Sequence, residues 1–162
     1  MASRIEDYAV LGDLGTAALV GLDGSVDWLC LPRFDSPACF SALLGTPEHG
    51  RWLLAPDGPH EVTRRYLEDS FVLETTYTTE EGVVVVLDAM PTGDDRADVV
   101  RQVRGVRGSV RMRHEWVVRP GYGEIRPWVR RMVDPHGRPS LQAVAGPDML
   151  VLRGSRLPSA DW

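Results

Sequence analysis

Turn-forming residues recur along this chain at short intervals, and the apolar residues between them repeat with a period near two. That pattern fits short strands and leaves almost no room for amphipathic helices. Thr16 to Leu22 and Ser25 to Leu31 are apolar-rich runs separated by Asp23-Gly24, a pair suited to a type I′ hairpin turn. The stretch Ser36-Pro37 to Gly45 carries the start and stop signals of one short helix near residues 37–44. Strands are expected over Gly50–Ala55 and Glu61–Leu67, and Phe71, Leu73 and Tyr77 share a strand face. Val83 to Leu87 is a continuous apolar run suited to a strand covered on both sides. Val110, Met112, Trp116 and Val118 alternate with Arg111, Arg113 and Glu115, and His114 shares the apolar parity as a hydrogen-bonded core residue. Further strands fall near Ile125–Val133, Leu141–Ala145 and Met149–Leu152. The expected fold class is all-β, an antiparallel β-sandwich.

Composition narrows the setting. The 162 residues are 43% hydrophobic and 25% charged, the balance of one packed domain rather than a disordered chain. No apolar run reaches the ~20 residues of a membrane helix. The first residues lack a basic stretch followed by an apolar block, so a cytoplasmic location without membrane attachment is expected. All 18 basic residues are arginine, and they are unevenly placed. Residues 1–95 hold 5 Arg against 17 acids, whereas residues 96–131 hold 10 Arg against 3 acids. Either a binding face or mutual neutralisation on folding accounts for this asymmetry.

Chemistry-bearing patterns are sparse. The adjacent acids Glu68-Asp69, Glu80-Glu81 and Asp94-Asp95 sit in turn contexts, where solvated surface is the ordinary explanation. His49, His60, His114 and His136 show no metal-ligand spacing, and Cys30 and Cys39 read as buried thiols, so no metal and no cofactor is expected. A Gly-x-Ser-x-Gly elbow and a phosphate loop are both absent. Arg101 to Arg113 lacks a one-faced array of charges with interleaved aromatics, so pairing with acids on neighbouring strands, or contact with another domain, is favoured over nucleic-acid binding.

The densest motif is Gly24-Ser25-Val26-Asp27-Trp28-Leu29-Cys30-Leu31-Pro32-Arg33-Phe34-Asp35-Ser36-Pro37. Asp27 and Trp28 offer a polar contact beside a flat apolar face, the combination that sugar rings use. Arg33 and Asp35 are placed to pair across the corner. A buried Trp anchoring an ion-paired corner explains the same residues structurally.

This motif, with Asp7 to Asp13 and Thr16 to Val20 before it, resembles the start of the bacterial trehalase-like and glucoamylase-like enzymes of glycoside hydrolase family 15. The similarity continues through Glu48 to Trp52, Arg65-Tyr66-Leu67, Leu73-Glu74-Thr75 and Arg119-Pro120-Gly121-Tyr122-Gly123. It departs from the family pattern at Ala89, where an aromatic is usual, and at Gly121, where an acid is commoner. The resemblance implies a supersandwich-like N-terminal domain ahead of an α/α barrel that holds the catalytic glutamates. Such enzymes hydrolyse α-linked glucosides with inversion.

No catalytic residue carries over to this chain, since the barrel lies outside it. Residues 1–162 are accordingly expected to be one non-catalytic sandwich domain, short of its last strands, that braces a barrel supplied in cis or separately encoded. The expected barrel-facing or sugar-contacting residues are Asp27, Trp28, Arg33, Asp35 and Tyr122, with α-glucosides as ligands. A free-standing carbohydrate-binding module using Trp28, Trp52 or Trp116 is the alternative. Unpartnered edges and faces lead to an expectation of self-association.

Overall fold

A computed structural model of the chain describes residues 4–93, 96–134 and 136–158. Period-two patterning yields three antiparallel sheets among these residues. The largest contains β1 (Tyr8–Gly12), β2 (Ala17–Gly21), β3 (Ser25–Cys30), β4 (Ala38–Phe40), β5 (Arg51–Pro56) and β10 (Met112–Val117). Its order is β1-β2-β3-β5-β10, with β4 paired to β3. A second sheet runs β6 (Glu61–Tyr66), β7 (Leu73–Thr78), β8 (Gly82–Ala89) and β9 (Val100–Gly108). The third runs β11 (Trp128–Val133), β12 (Pro139–Ala145) and β13 (Asp148–Arg153).

One apolar cluster joins all three. Leu11, Val20 and Leu29 of the large sheet pack with Leu73 of the second and Leu141 and Leu152 of the third. The second and third sheets thus share the covering of the first, and the all-β sandwich expected from the sequence is the observed class. Val84, Val85 and Val86 are all buried, which accounts for the uninterrupted apolar run in β8.

Three local expectations are corrected. The stretch near residues 37–44 is not a helix: Ala38–Phe40 is a strand and Ala42–Leu44 a single 3-10 turn. Phe40 is opposite Leu29 and Ala38 opposite Cys30, so cross-strand pairing and burial of Phe40 override the local capping signal. Ser36 is used in the corner instead, its Oγ accepting from the Arg33 N–H. The Asp23-Gly24 hairpin forms, but through a three-residue connection in which the Gly24 N–H donates to the Gly21 carbonyl and only Gly24 takes positive φ, +79°. That is a type I turn followed by a left-handed residue rather than a type I′ turn. A side chain at Gly24 would collide with Tyr77 Oη and the Leu54 carbonyl, so no other residue fits there. Finally, Phe71 lies ahead of β7 and is exposed, while Leu73, Thr75 and Tyr77 form the buried face.

The sheets are also joined by a buried ion pair. Arg101 of β9 donates through Nε to Asp88 Oδ1 at 2.8 Å and through Nη2 to Asp88 Oδ2 at 3.1 Å. Its Nη1 and Nη2 also reach the Trp52 carbonyl at 2.7 Å, in the opposing sheet, and the Gly24 carbonyl at 2.8 Å, in the turn between β2 and β3. The two side chains are 0% and 1% exposed. Charges this deeply buried are tolerated because a bidentate fork and two carbonyls satisfy them. Replacing Arg101 by Met leaves the buried Asp88 carboxyl without its ion-pair partner. The expected loss is about 3–5 kcal/mol in urea unfolding, with partial recovery when Asp88→Leu is added.

Candidate functional site

The corner after β3 sets out the residues singled out by the sequence. Asp27 is the extra residue of a β-bulge: Trp28 is opposite Leu19 and Val26 opposite Val20, leaving Asp27 between them. A bulge re-aims a side chain. The Asp27 carboxylate accepts from Tyr8 Oη at 2.8 Å and from Ser25 Oγ at 2.5 Å. Burial pushes its carboxyl above the ordinary carboxylate range, and the two hydroxyl donors oppose that rise. Asp27 is therefore committed to holding β1 against β3.

Trp28 instead finds Tyr122. Their ring centroids are 6.2 Å apart at 38°. Tyr122 is half exposed and sits at φ +61° between Gly121 and Gly123, which are also left-handed. That backbone is costly for a non-glycine residue. The Tyr122 N–H donates to the Ala38 carbonyl and the Arg119 N–H to the Cys39 carbonyl, tying the 119–123 loop to β4. Gly123 packs so close to His49 that a Cβ would meet its side chain at 2.9 Å. The result is a partly exposed aromatic step made from two distant parts of the chain.

Arg33 and Asp35 pair at 2.9 Å on the open corner that follows the cis Leu31–Pro32 peptide. The Arg33 hydrogen bond holds the Asp35 carboxyl below the ordinary range. Both side chains are mostly exposed, so the pair is screened and orients the corner more than it stabilises it. The described side chains thus form three groups: Asp27 with Tyr8 and Ser25, Trp28 with Tyr122, and Arg33 with Asp35. Hydrogen bonds do not link one group to another.

The other tryptophans divide differently. Trp116 is buried, and Trp52 donates from Nε1 to His114 Nε2 at 3.0 Å while Arg101 stacks over its ring. Trp116 belongs to the core, and Trp52 packs half-buried against it. Trp128, which the sequence reading passed over, is exposed on β11 with the Arg130 guanidinium over its ring. An aromatic in a strand that carries arginines on both sides was its available signal. Cys30 and Cys39 are free and buried, and burial pushes the Cys39 thiol up to about 12.

A groove of about 2090 Å³ opens between β9 and β10. Trp52, Met112, His114 and Trp116 line it from the large sheet, and residues 152–158 also border it. Glu115 on its border is held by Arg51 and Arg113. Burial opposes ionisation of Glu115, but those two arginines keep its carboxyl below the ordinary range. Glu68-Asp69 and Glu80-Glu81 are exposed at turns, and Asp94-Asp95 lies outside the described residues. Among the described residues no group of three His, Cys, Asp or Glu is placed to hold a metal, and no helix is long and apolar enough to cross a membrane.

Residues 1–155 match the family described as trehalase-like, N-terminal. The chain belongs to that family. Trehalase of Mycolicibacterium smegmatis is 44% identical over 90 residues, which are 55% of this chain and 13% of that protein. Trehalase 1 of Sulfolobus acidocaldarius is 34% identical over 128 residues, 76% of this chain and 22% of that protein. Trehalase of Thermoplasma volcanium is 28% identical over 141 residues, 83% of this chain and 22% of that protein. The matched part of this trehalase-like N-terminal domain therefore spans less than a quarter of each of these relatives. No solved structure matches it at comparable significance.

His114 gives the trehalase-like domain a defined acid response. Burial, with Arg101 nearby, lowers its pKa from 6.5 to about 4, so the folded state holds it neutral as the acceptor for Trp52. An unfolded chain takes up that proton first. Stability from this group is complete above about pH 6.5 and is lost as pH falls toward 4. Urea midpoints at decreasing pH are expected to fall through this window, and His114→Gln, which keeps an acceptor, is expected to flatten that part of the profile.

Proposed function

We propose that this domain is the non-catalytic N-terminal sandwich of an inverting α-glucoside hydrolase of the trehalase or glucoamylase type, in glycoside hydrolase family 15. It braces a catalytic α/α barrel, supplied in cis or separately encoded, and shapes one rim of its cleft. The observation that carries this reading is the family match, set beside trehalases several times longer than the matched segment. The acids support it. Inverting hydrolysis needs two carboxyls ~6.5–9.5 Å apart across a bound sugar. Here Asp27, Asp88 and Glu115 are each engaged in buried or ion-paired structural bonds. The Trp28–Tyr122 step and the Arg33–Asp35 corner are the surfaces assigned to the barrel or to the sugar at its rim. The purified chain is expected to release no glucose from trehalose or maltose. Activity that co-purifies with it through successive columns would overturn the assignment.

The partly exposed Trp28–Tyr122 pair also favours a second reading, a carbohydrate-binding module. Tryptophan fluorescence titrated with trehalose, maltose and starch separates the two. A bracing domain gives no saturable change without its barrel. A binding module gives one that Trp28→Ala and Tyr122→Ala each weaken by about tenfold, the scale of a lost ring-stacking contact.

A further inference from the structure

Strand β9 has a neighbour on one side only. It pairs with β8, and among the described residues no backbone hydrogen bond reaches it from the other side. Nine residues make a long edge, along which alternate residues turn their backbone N–H and C=O away from β8. The free side of β9 borders the groove, where β10, the edge strand of the large sheet, is likewise open. Two edges of opposing layers therefore face one slot.

The faces of β9 differ in kind. Val86 is opposite Val103 and Val84 opposite Gly105, so Val103 and Gly105 belong to the inward face, where Val103 stays 42% exposed. Val85 is opposite Arg104 and, across a bulge, Val83 is opposite Arg107, so both arginines occupy the outward face. The slot is also rich in unmatched positive charge. No acid among the described residues lies within ion-pair range of Arg107, Arg111, Arg153 or Arg156, all of which line it. Of its glutamates, Glu115 is already shared between two arginines.

We infer that β9 is the docking edge for an added β-strand of alternating character, apolar toward Val103 and Gly105 and acidic toward Arg107 and toward Arg104, which lies 4.0 Å from Glu74 but stays 61% exposed. Backbone pairing with β9 supplies the affinity, and the arginine row selects the strand. A second copy of this chain is a poor occupant. Antiparallel pairing of β9 with itself, apolar face inward, brings Arg104 and Arg107 of one copy opposite or diagonal to those of the other, and like charges there are destabilising. The inference goes beyond the carbohydrate reading and does not depend on it.

The test uses the whole 162-residue chain and two short synthetic peptides, one alternating valine and glutamate, the other valine and lysine. The glutamate peptide is expected to bind saturably and to slow amide exchange along β9, with the lysine peptide at least about tenfold weaker. Arg104→Glu with Arg107→Glu, both on exposed positions, is expected to invert that preference while the circular dichroism spectrum stays unchanged. Equal affinity for the two peptides would overturn the inference, as would binding that leaves β9 exchange unaltered. So would a concentration-dependent dimer that protects β9, or an oligothymidylate that displaces the glutamate peptide.

Discussion

The interaction on which this architecture turns is the Arg101–Asp88 pair. Asp88 lies on β8 directly opposite Arg101 on β9, so the pair is a cross-strand one on the inward face of the second sheet. The same guanidinium reaches the Trp52 and Gly24 carbonyls, which belong to the large sheet and its β2–β3 hairpin. One side chain thus fixes the separation of two layers, the seating of the hairpin and the orientation of Trp52 beneath it. Such a device adds little net stability over an apolar equivalent, because desolvation offsets most of the Coulombic gain. Its contribution is geometric: with both charges buried, only the arrangement that satisfies every donor is tolerated. Trp52 in turn donates to His114, which carries the constraint on to β10.

The proposed site residues depend on that frame without touching it. Asp27, turned by the bulge toward Tyr8 and Ser25, ties β1 to β3 and leaves Trp28 to meet the loop that carries Tyr122. The loop holds a left-handed tyrosine because backbone bonds to Ala38 and Cys39 secure it at both ends. Strain maintained by surrounding structure is a common mark of a surface meant to meet something else. The groove lies at the opposite edge of the logic. There the layers are left open, apolar floor and basic border together, and the family match describes a domain that is one part of longer proteins.

Much of this was legible in the sequence. The alternation in Leu73 to Thr78 and Met112 to Val117 places the buried faces correctly, and the Asp23-Gly24 signal finds its hairpin. The excess of acids before residue 95 and of arginines after it resolves into cross-strand pairs, Asp88 with Arg101 and Glu74 with Arg104, and a surplus along one edge. Other features were out of reach for a stated reason. Ser36-Pro37 is a sound local helix signal, but the burial of Phe40 against Leu29 depends on β3, which no local window contains. The turn type at Gly24 depends on Tyr77 and Leu54 crowding it from elsewhere.

By itself the sequence determined the all-β class, the positions of most strands and turns, the hydrogen-bonded character of His114 and the motif that ties the chain to its family. Those features follow from alternation and short-range sterics, which act between residues close in the chain. Only the tertiary structure decided that Trp116 is buried while Trp128 is exposed, that Asp27 is taken by Tyr8 and Ser25 while Trp28 meets Tyr122, and that β9 is left with an unpaired edge. Each of these rests on which distant strands become neighbours and in what register. A shift of one residue in that register sends every side chain to the other face.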